Sequence, residues 1–496
     1  MRGMTHPTPP QRVDVAILGA GMSGLAMATA LRRAGRHDFV VVEQSPGLGG
    51  TWWDNRYPGA AVDVPAPLYS FSFAPNPRWG RRFAPAPEIL AYQQRLAEVE
   101  GLLPHLRLGR RLVDARFDEA TGRWRLRLDD GSGLDARAFV CSTGPLSVPR
   151  WPAIEGLEAF AGPRLHTARW DAGVPLAGRH VGVIGTGSTA AQLVPELVRA
   201  GARVTVFQRT ANWVLPRFDR RYGAVDRLLF ALPGWNRTVR GFWAGVSELF
   251  RRGFEQGSAA RRVVLALAEA HLRRQVRDPA LRERLRPPYP LGCKRIVFSN
   301  DWLRTLASPG VALVTDGITR ITPAGVATAD GREHALDVLV CATGFDTVQL
   351  LQSIRVEGRD GRTLAEAWRD GPEALHGIGV AGFPNLFLML GPNTATGHTS
   401  TLLFIEPAVQ HAIACMRAVE AGGHRAIEVR EDAQRAHNAA LQRRLAGSVW
   451  AQCRSWYRLE GGRVVAIFPG FTREYVRALR VPDWSAYRFE PGAPGC

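Results

Sequence analysis

Two stretches of the chain share one pattern of apolar and polar positions. In each, a short apolar run rich in β-branched residues ends at a glycine-rich turn, a helical stretch follows, and a second apolar run comes next. The first comprises VDVAIL at 13–18, GAGMSG at 19–24 and FVVVEQ at 39–44, and the second spans 179–209. This pattern predicts two βαβ units. Their separation of about 165 residues favours two nucleotide-binding domains over a short-period repeat.

The first glycine motif is a dinucleotide fingerprint. Gly19, Gly21 and Gly24 form GxGxxG between strand and helix, which allows a tight turn, close approach of a pyrophosphate and packing of the helix on the strand. Glu43 lies 19 residues beyond Gly24, at the end of the next strand. A carboxylate there can hold the hydroxyl pair of an unphosphorylated ribose, so we predict that this site binds FAD.

The second motif differs at the end of its second strand. It reads GTGSTA and contains Gly185, Thr186, Gly187, Ser188 and Ala190. Arg209 and Thr210 stand where the first unit has its acid. A guanidinium can pair with a 2′-phosphate that a carboxylate would repel, and we therefore predict that this site binds NADPH.

These assignments predict an α/β fold with two Rossmann-like domains. RAFVCSTG at 137–144 and DVLVCATG at 337–344 add two strand-like runs, whereas 222–286 is rich in Arg and Leu and broken by prolines. The predicted regions are a disordered lead-in at 1–12, a first part of the FAD domain at 13–150, an NADP domain at 151–336 with a helical insertion at 219–292, and a second part of the FAD domain at 337–496.

The net charge of +18 comes largely from arginine, since Lys294 is the only lysine. Residues 219–286 hold 15 Arg against 7 Asp or Glu. This excess leaves two interpretations open: a solvated helical face, or a surface for peripheral contact with an anionic membrane or an acidic partner. No recognition motif for nucleic acid accompanies the charge.

Six cysteines are scattered along the chain without CxxC or metal-ligand spacing. We therefore expect a reduced cytoplasmic chain with no disulfide and no metal site, and Cys293 as a packing residue. A dithiol disulfide reductase is excluded. The first twelve residues are polar and no run of about 18 apolar residues occurs, so neither a secretory signal nor a membrane span is expected.

Several segments resemble class B flavoprotein monooxygenases, especially the Baeyer–Villiger monooxygenases. GLGGTWWDNRYPGAAVDVPAPLYSFSF at 47–73 resembles their flavin-binding segment, and FAGPRLHTARWD at 160–171 fits their fingerprint, FxGxxxHxxxW followed by Pro or Asp. Further matches are VFQRTANWVLPR at 206–217, GCKR at 292–295, ATGFD at 342–346, GPNTATGHTS at 391–400 and CRSWY at 453–457. The resemblance covers residues 13 to 490.

The resemblance implies an FAD- and NADPH-dependent enzyme that inserts one atom of O2 beside a ketone carbonyl through a C4a-peroxyflavin, giving an ester or lactone. Arg295 matches the catalytic arginine and Asp63 the carboxylate that orients it and contacts the cofactors. Lys294 is expected beside Arg209 at the NADP 2′-phosphate. Gly50, Thr51, Trp52, Asn55 and Tyr69 are carried over as flavin contacts.

Two further residues have two interpretations each. His166 could be a general base, but its place in the fingerprint favours a hydrogen-bonding role at the link between the domains. Trp456 could close over the nicotinamide or belong to the core. For the whole chain, the alternatives are a flavin N- or S-monooxygenase and a non-catalytic NADP-binding protein. The oligomeric state is left open between monomer and homodimer.

Overall fold

The computed structural model describes residues 9–347, 351 and 354–492. Most of the predicted lead-in, residues 1–8, lies outside the described residues. The predicted lead-in ends too late, because the first strand already includes Gln11 and Arg12. These two residues pair with the strand over 133–141, so polar side chains there do not prevent strand formation.

The strands follow one another as β1 (Gln11–Leu18), β2 (Phe39–Glu43), β3 (Leu106–Leu108), β4 (Leu112–Asp118), β5 (Arg123–Leu128), β6 (Gly133–Cys141), β7 (Arg164–His166), β8 (His180–Ile184), β9 (Arg203–Phe207), β10 (Val214–Leu215), β11 (Val297–Phe298), β12 (Val311–Val314), β13 (Ile318–Ile321), β14 (Gly325–Thr328), β15 (Glu333–Ala335), β16 (Val338–Cys341), β17 (Arg355–Glu357), β18 (Leu386–Leu388), β19 (His424–Val429) and β20 (Tyr487–Pro491).

The α-helices are α1 (Met22–Arg33), α2 (Thr51–Asp54), α3 (Ala86–Val99), α4 (Ser188–Arg199), α5 (Ala224–Ala231), α6 (Trp235–Arg251), α7 (Ala259–Gln275), α8 (Pro279–Arg284), α9 (Trp302–Leu306), α10 (Leu364–Ala367), α11 (Leu402–Ala421), α12 (Glu431–Ala446) and α13 (Thr472–Arg480).

The first sheet has the strand order β17-β4-β5-β6-β1-β2-β3, and β18 also pairs with β6. Strand β1 runs parallel to β2 and β6, and α1 connects β1 to β2. This is the predicted first βαβ unit. Strands β17 and β18 come from the part of the chain beyond residue 354, so two separate segments build one sheet.

The second sheet is parallel throughout, in the order β12-β9-β8-β16-β7. Strand β16 pairs with β8 and β7, so the predicted boundary at 336/337 is wrong by one strand. The reason is that every residue of β16 is buried. A continuous apolar run indicates a central strand but not the sheet that receives it.

Four helices, α5 to α8, lie within the predicted insertion at 219–292. The parallel pair of β10 and β11 brings the chain back together after them. The two sheets, with helices α1 and α4 at their glycine turns, confirm the predicted α/β fold with two Rossmann-like domains.

Helix α11 has the length and composition of a membrane-spanning helix. It packs against α1, α13 and β19, and most of its side chains lie in the same buried cluster as β1 and β2. Within the part of the chain that the structure describes, it is therefore a core helix of the first domain.

Candidate active site

The first glycine turn leaves no room for side chains. A β-carbon at Gly19 (φ 99°) would lie 2.6 Å from the carbonyl oxygen of Ser142, and one at Gly24 would lie 1.8 Å from the carbonyl oxygen of Gly19. Gly50 (φ 54°) faces Gly21, whose Cα would be 2.9 Å from a β-carbon at Gly50. Backbone N–H groups at the start of α1 can therefore approach a pyrophosphate, which fits a dinucleotide.

Glu43 is a buried carboxylate at the end of β2. Its Oε2 accepts a hydrogen bond of 2.8 Å from the N–H of Ala20, and its Oε1 accepts one of 2.8 Å from the N–H of Ser45. A carboxylate has about four lone-pair sites, so Glu43 can still accept from ribose hydroxyls. The residues present fit the adenosine half of FAD.

The predicted flavin contacts hold one another in place. Trp52 Nε1 donates to the Tyr69 hydroxyl at 3.1 Å, and Asn55 Nδ2 donates to the Thr51 carbonyl at 2.8 Å. Burial raises the pKa of Tyr69 to about 12, so its phenol keeps its proton at neutral pH. Tyr69 also lies close enough to Asp63 and Arg295 for their charges to act on its pKa.

The second glycine turn is shaped in the same way. A β-carbon at Gly185 (φ 119°) would lie 2.4 Å from the carbonyl oxygen of Ala342, whereas one at Gly187 would meet no atom within 4 Å. Thr186 Oγ1 donates to the Thr210 carbonyl at 2.9 Å, which joins the turn to the end of β9. Ser188 begins α4 and Ala190 is buried on it. The open space at Gly187 fits a second pyrophosphate.

Two cationic side chains, Lys294 and Arg209, lie near this second glycine turn. Burial lowers the pKa of Lys294, and the neighbouring charge of Arg209 lowers it further. The Lys294 ammonium lies 4.7 Å from the centre of the Tyr289 ring. Over the described residues, neither cation makes an ion pair with a carboxylate. A phosphate would relieve their mutual repulsion, so these side chains fit the 2′-phosphate of NADPH.

Arg295 and Asp63 form a bidentate ion pair. Arg295 Nε donates to Asp63 Oδ2 at 2.9 Å, and Nη2 donates to Oδ1 and Oδ2 at 2.7 Å. The charge of Asp63 is the main reason that the pKa of Arg295 is raised. The guanidinium is therefore a permanent cation of fixed direction. The predicted contact between Asp63 and Arg295, which are 232 residues apart in sequence, is present in the structure.

Gln192, which the sequence analysis did not single out, joins the two cofactor regions. It lies on α4, just beyond the second glycine motif. The Tyr57 hydroxyl donates to Gln192 Oε1 at 2.8 Å, and Gln192 Nε2 donates to the Ala61 carbonyl at 2.9 Å. This contact positions the segment that carries Asp63 against the NADP domain. Its position on α4, just after the glycine motif, hints at a role near the cofactor. The contact itself cannot be read from the sequence, because Ala61 lies 131 residues away.

A second missed set of residues, which we call the relay, connects Arg295 to helix α6. Arg295 Nη1 donates to the Thr396 carbonyl at 3.3 Å, and Thr396 Oγ1 is 3.1 Å from His398 Nδ1. His398 Nε2 lies 3.7 Å from Glu248 Oε1, which also accepts from the N–H of Thr472 at 2.9 Å. Burial lowers the pKa of His398, and Glu248 opposes that shift.

The expectation that the chain has no disulfide is wrong. Cys293 and Cys453 are bonded, with 6.1 Å between their Cα atoms and 160 residues between them in sequence. Scattered spacing gives no hint of such a pair, because only the tertiary fold brings the two residues together. The bond joins the loop of Lys294 and Arg295 to the segment of Trp456.

His166 and Trp456 each contact residues that are distant in sequence. His166 ends β7, its Nδ1 accepts from the N–H of Ala168 at 3.1 Å, and its Nε2 is 3.5 Å from Thr343 Oγ1. Burial lowers its pKa, which favours a neutral, hydrogen-bonding imidazole over a proton carrier. Trp456 is half-buried with its ring centre 4.2 Å from that of Tyr457, in the cluster that also contains Cys293.

Comparison with known proteins agrees with this geometry. Residues 17–84 match the family model described as an NAD(P)-binding Rossmann-like domain. A Baeyer–Villiger monooxygenase of Streptomyces coelicolor is 41% identical over 99% of this chain and 95% of its own length. Cyclohexanone monooxygenase from Rhodococcus sp. Phi1, solved with NADP+, superposes with a TM-score of 0.89 at 27% identity over 97% of this chain and all of that one. OTEMO, solved with FAD and NADP, gives a TM-score of 0.84 at 25% identity over 96% and 99%.

Proposed function

The chain belongs to the Baeyer–Villiger monooxygenase family, and we infer from its site that it uses NADPH, FAD and O2 to insert one oxygen atom beside a ketone carbonyl, giving an ester or lactone. The observation that carries this inference is the bidentate pair of Asp63 and Arg295, which lies beside the cationic site of Lys294. Bound FAD and NADPH supply the hydride transfer and the activation of O2, for which no side chain is suited.

Arg295 supplies the fixed positive charge that the insertion needs. Oxygen attack on a ketone carbonyl places negative charge on the carbonyl oxygen. A preorganised donor in a site from which water is excluded stabilises that charge, and loss of one such donor costs about 2.7–4 kcal/mol. Because a guanidinium does not lose its proton at any ordinary pH, the proposed role of Arg295 is electrostatic.

Asp63 is proposed as the residue that orients this cation. Its two oxygens hold Nε and Nη2, which leaves Nη1 free of the carboxylate and directed to the Thr396 carbonyl. The long, weakly held hydrogen bond of Nη1 at 3.3 Å leaves that donor available to a developing oxyanion. Asp63 thereby sets the direction in which Arg295 can donate.

We propose that Lys294 and Arg209 select NADPH over NADH. The two side chains have no carboxylate partner in the described chain and lie near the second glycine turn, where Thr186 and Thr210 are joined. Gly19, Gly21, Gly24, Glu43 and Gly50 are proposed to hold FAD, with Thr51, Trp52, Asn55 and Tyr69 on its flavin half. Trp456 is proposed to border the nicotinamide.

Ketone insertion is favoured over N- or S-oxidation for a chemical reason. Transfer of an electrophilic oxygen to a soft nitrogen or sulfur requires no fixed cation beside the substrate. The Arg295–Asp63 pair buries part of two charges, and because desolvation offsets the attraction within such a pair, a role in the reaction explains it better than a role in stability. Family membership also disfavours a non-catalytic NADP-binding protein.

A turnover assay with NADPH and a panel of cyclic and linear ketones tests the function. We expect NADPH oxidation coupled to formation of an ester or lactone, identified by mass spectrometry. Hydrogen peroxide as the sole product throughout the panel would contradict ketone insertion. Efficient oxidation of a sulfide with no ester from any ketone would favour the S-monooxygenase.

We also propose that the enzyme works in the cytoplasm, where NADPH is regenerated, as a monomer or a homodimer. Its dependence on a freely exchanging cofactor supports this location, whereas the cysteines no longer support it, because Cys293 and Cys453 are bonded. Cell fractionation and sedimentation velocity on the holoenzyme check both points. Recovery of the enzyme only outside the cell would contradict the location, and a larger assembly would contradict the stoichiometry.

A further inference from the structure

Helices α5 and α6 expose an unusual amount of apolar surface. Seven large apolar side chains, which we call the apolar ridge, are between 36% and 71% exposed: Val225, Leu228, Leu232, Trp235, Phe242, Val246 and Leu249. None of them belongs to the candidate active site described above. Contiguous exposed apolar patches usually mark an interaction site, whereas single exposed side chains do not.

The spacing of these residues places them on one side of each helix. Within α5, Val225 and Leu228 are three residues apart, and within α6, Trp235, Phe242 and Leu249 follow at intervals of seven. Leu232 lies in extended backbone directly after the end of α5. Residues three, four or seven apart share a helix face. Leu232 and Trp235 flank the turn between the helices, so the ridge continues from α5 across the turn to α6.

The opposite face of α6 is the one that packs on the protein. Arg240 makes an ion pair of 2.8 Å with Glu406, and Glu248 contacts His398. Ser247 and Arg251 on that face are buried. The ridge is therefore the outer face of a well-anchored helix and not a poorly packed part of the core.

The unpaired charges of the segment that carries the ridge have one sign. Between 219 and 269 four carboxylates make ion pairs with arginine: Asp219 with Arg81, Asp226 with Arg220, Glu255 with Arg251 and Glu269 with Arg286. The fifth, Glu248, contacts His398 on the packed side of α6. Five arginines of the same segment are exposed and make no ion pair within the described chain: Arg221, Arg227, Arg237, Arg252 and Arg262. The unneutralised charge of this surface is positive.

We propose that the apolar ridge docks the enzyme onto an anionic lipid surface. Apolar side chains of an amphipathic helix enter the boundary between headgroups and acyl chains, and arginines beside them bind lipid phosphates. A second copy of the chain is the less suitable occupant, because its matching segment carries the same excess of unpaired arginines. Docking would bring the enzyme to apolar ketones dissolved in the bilayer.

Vesicle sedimentation tests the proposal on the holoenzyme. We expect the protein to pellet with vesicles of phosphatidylcholine and phosphatidylglycerol, and at least tenfold less with phosphatidylcholine alone. Because the arginines contribute through charge, added salt should weaken the binding. Equal binding to both vesicles, or no binding to either, would overturn the proposal.

Matched variants assign the effect to the ridge. The double variant Phe242→Asp, Leu249→Asp should lose vesicle binding at least tenfold while ketone turnover in buffer is unchanged. The control, Val476→Asp, Val481→Asp, alters two exposed apolar residues elsewhere (41% and 73% exposed) and should bind vesicles like the parent. Equal loss in both variants, or a homodimer that only the ridge variant dissociates, would contradict lipid docking.

Discussion

Arg295 is held on two sides, by the carboxylate of Asp63 and by the carbonyl of Thr396. Arg295→Ala should therefore lower the rate of ester formation about 10²- to 10³-fold, while NADPH still reduces the flavin, because the cation acts after that step. Flavin reduction is measured by stopped flow without oxygen, and ester formation is measured by product analysis in air. Arg295→Lys keeps the charge but not the two-pronged contact and should fall between the parent and the alanine variant. An alanine variant that forms ester at the parent rate would disprove the role.

Lys294 gives a second prediction at the same scale. Burial and the charge of Arg209 lower its pKa, so its ammonium loses its proton at a lower pH than an ordinary lysine. The Kd for NADPH should therefore begin to rise at a pH below that at which an ordinary lysine titrates, about 10.4, and Lys294→Arg should abolish this rise because a guanidinium stays charged.

Substitution of the same residue separates phosphate binding from a structural role. Lys294→Ala should weaken NADPH binding about tenfold to a hundredfold and leave NADH binding unchanged, as measured by flavin-reduction titration. If NADH binding fell equally, Lys294 would contact another part of the cofactor.

At the scale of elements, the relay connects helix α6 to the catalytic cation. Glu248 reaches both His398 and the first N–H of α13, so Glu248→Ala should release α6 and cost about 1 kcal/mol through the lost helix cap alone. We expect more NADPH to be oxidised without ester formation, at an unchanged KM for NADPH. Coupling is measured as ester formed per NADPH consumed.

Two further variants make this prediction specific. Glu248→Gln can still accept from Thr472 and should recover the stability but not all of the coupling. Glu255→Ala removes an exposed partner of Arg251 on the next turn and should change neither. Equal loss of coupling in Glu255→Ala would mean that the insertion as a whole, and not the relay, affects the reaction.

The elements that the sequence predicts are those with local signals. Within each unit, the glycine turn, its helix and the end of its second strand lie within about 30 residues of one another, so periodicity and spacing are sufficient to predict them. Strand β16 was placed in the wrong domain because an apolar run of four buried residues fits either sheet. Gln192 and His398 stayed unrecognised because an amide or imidazole gains its role only from partners far away in sequence.

At the scale of the whole molecule, the disulfide between Cys293 and Cys453 could not be predicted for the same reason, because the two residues are far apart in sequence. One buried cluster contains Trp213, Leu215 and Cys293 from around the helical insertion together with Trp450 and Tyr457 from near the C-terminus. Packing there brings Cys293 and Cys453 together. The disulfide thus closes a loop that includes part of each domain.

Reduction of this disulfide should lower the stability of the folded protein. Closing a loop of 160 residues restricts the unfolded chain and stabilises the folded one by at most about 5 kcal/mol. A phosphine reductant should therefore lower the apparent Tm of the parent at a fixed scan rate and leave Cys293→Ser, Cys453→Ser unaffected. Cys141, Cys341 and Cys415 are buried free thiols and serve as internal controls, because they are present in both proteins. Since the bond directly precedes Lys294, reduction should also raise the Kd for NADPH. An unchanged Tm after two additional thiols per chain have appeared would show that packing alone holds the two segments together.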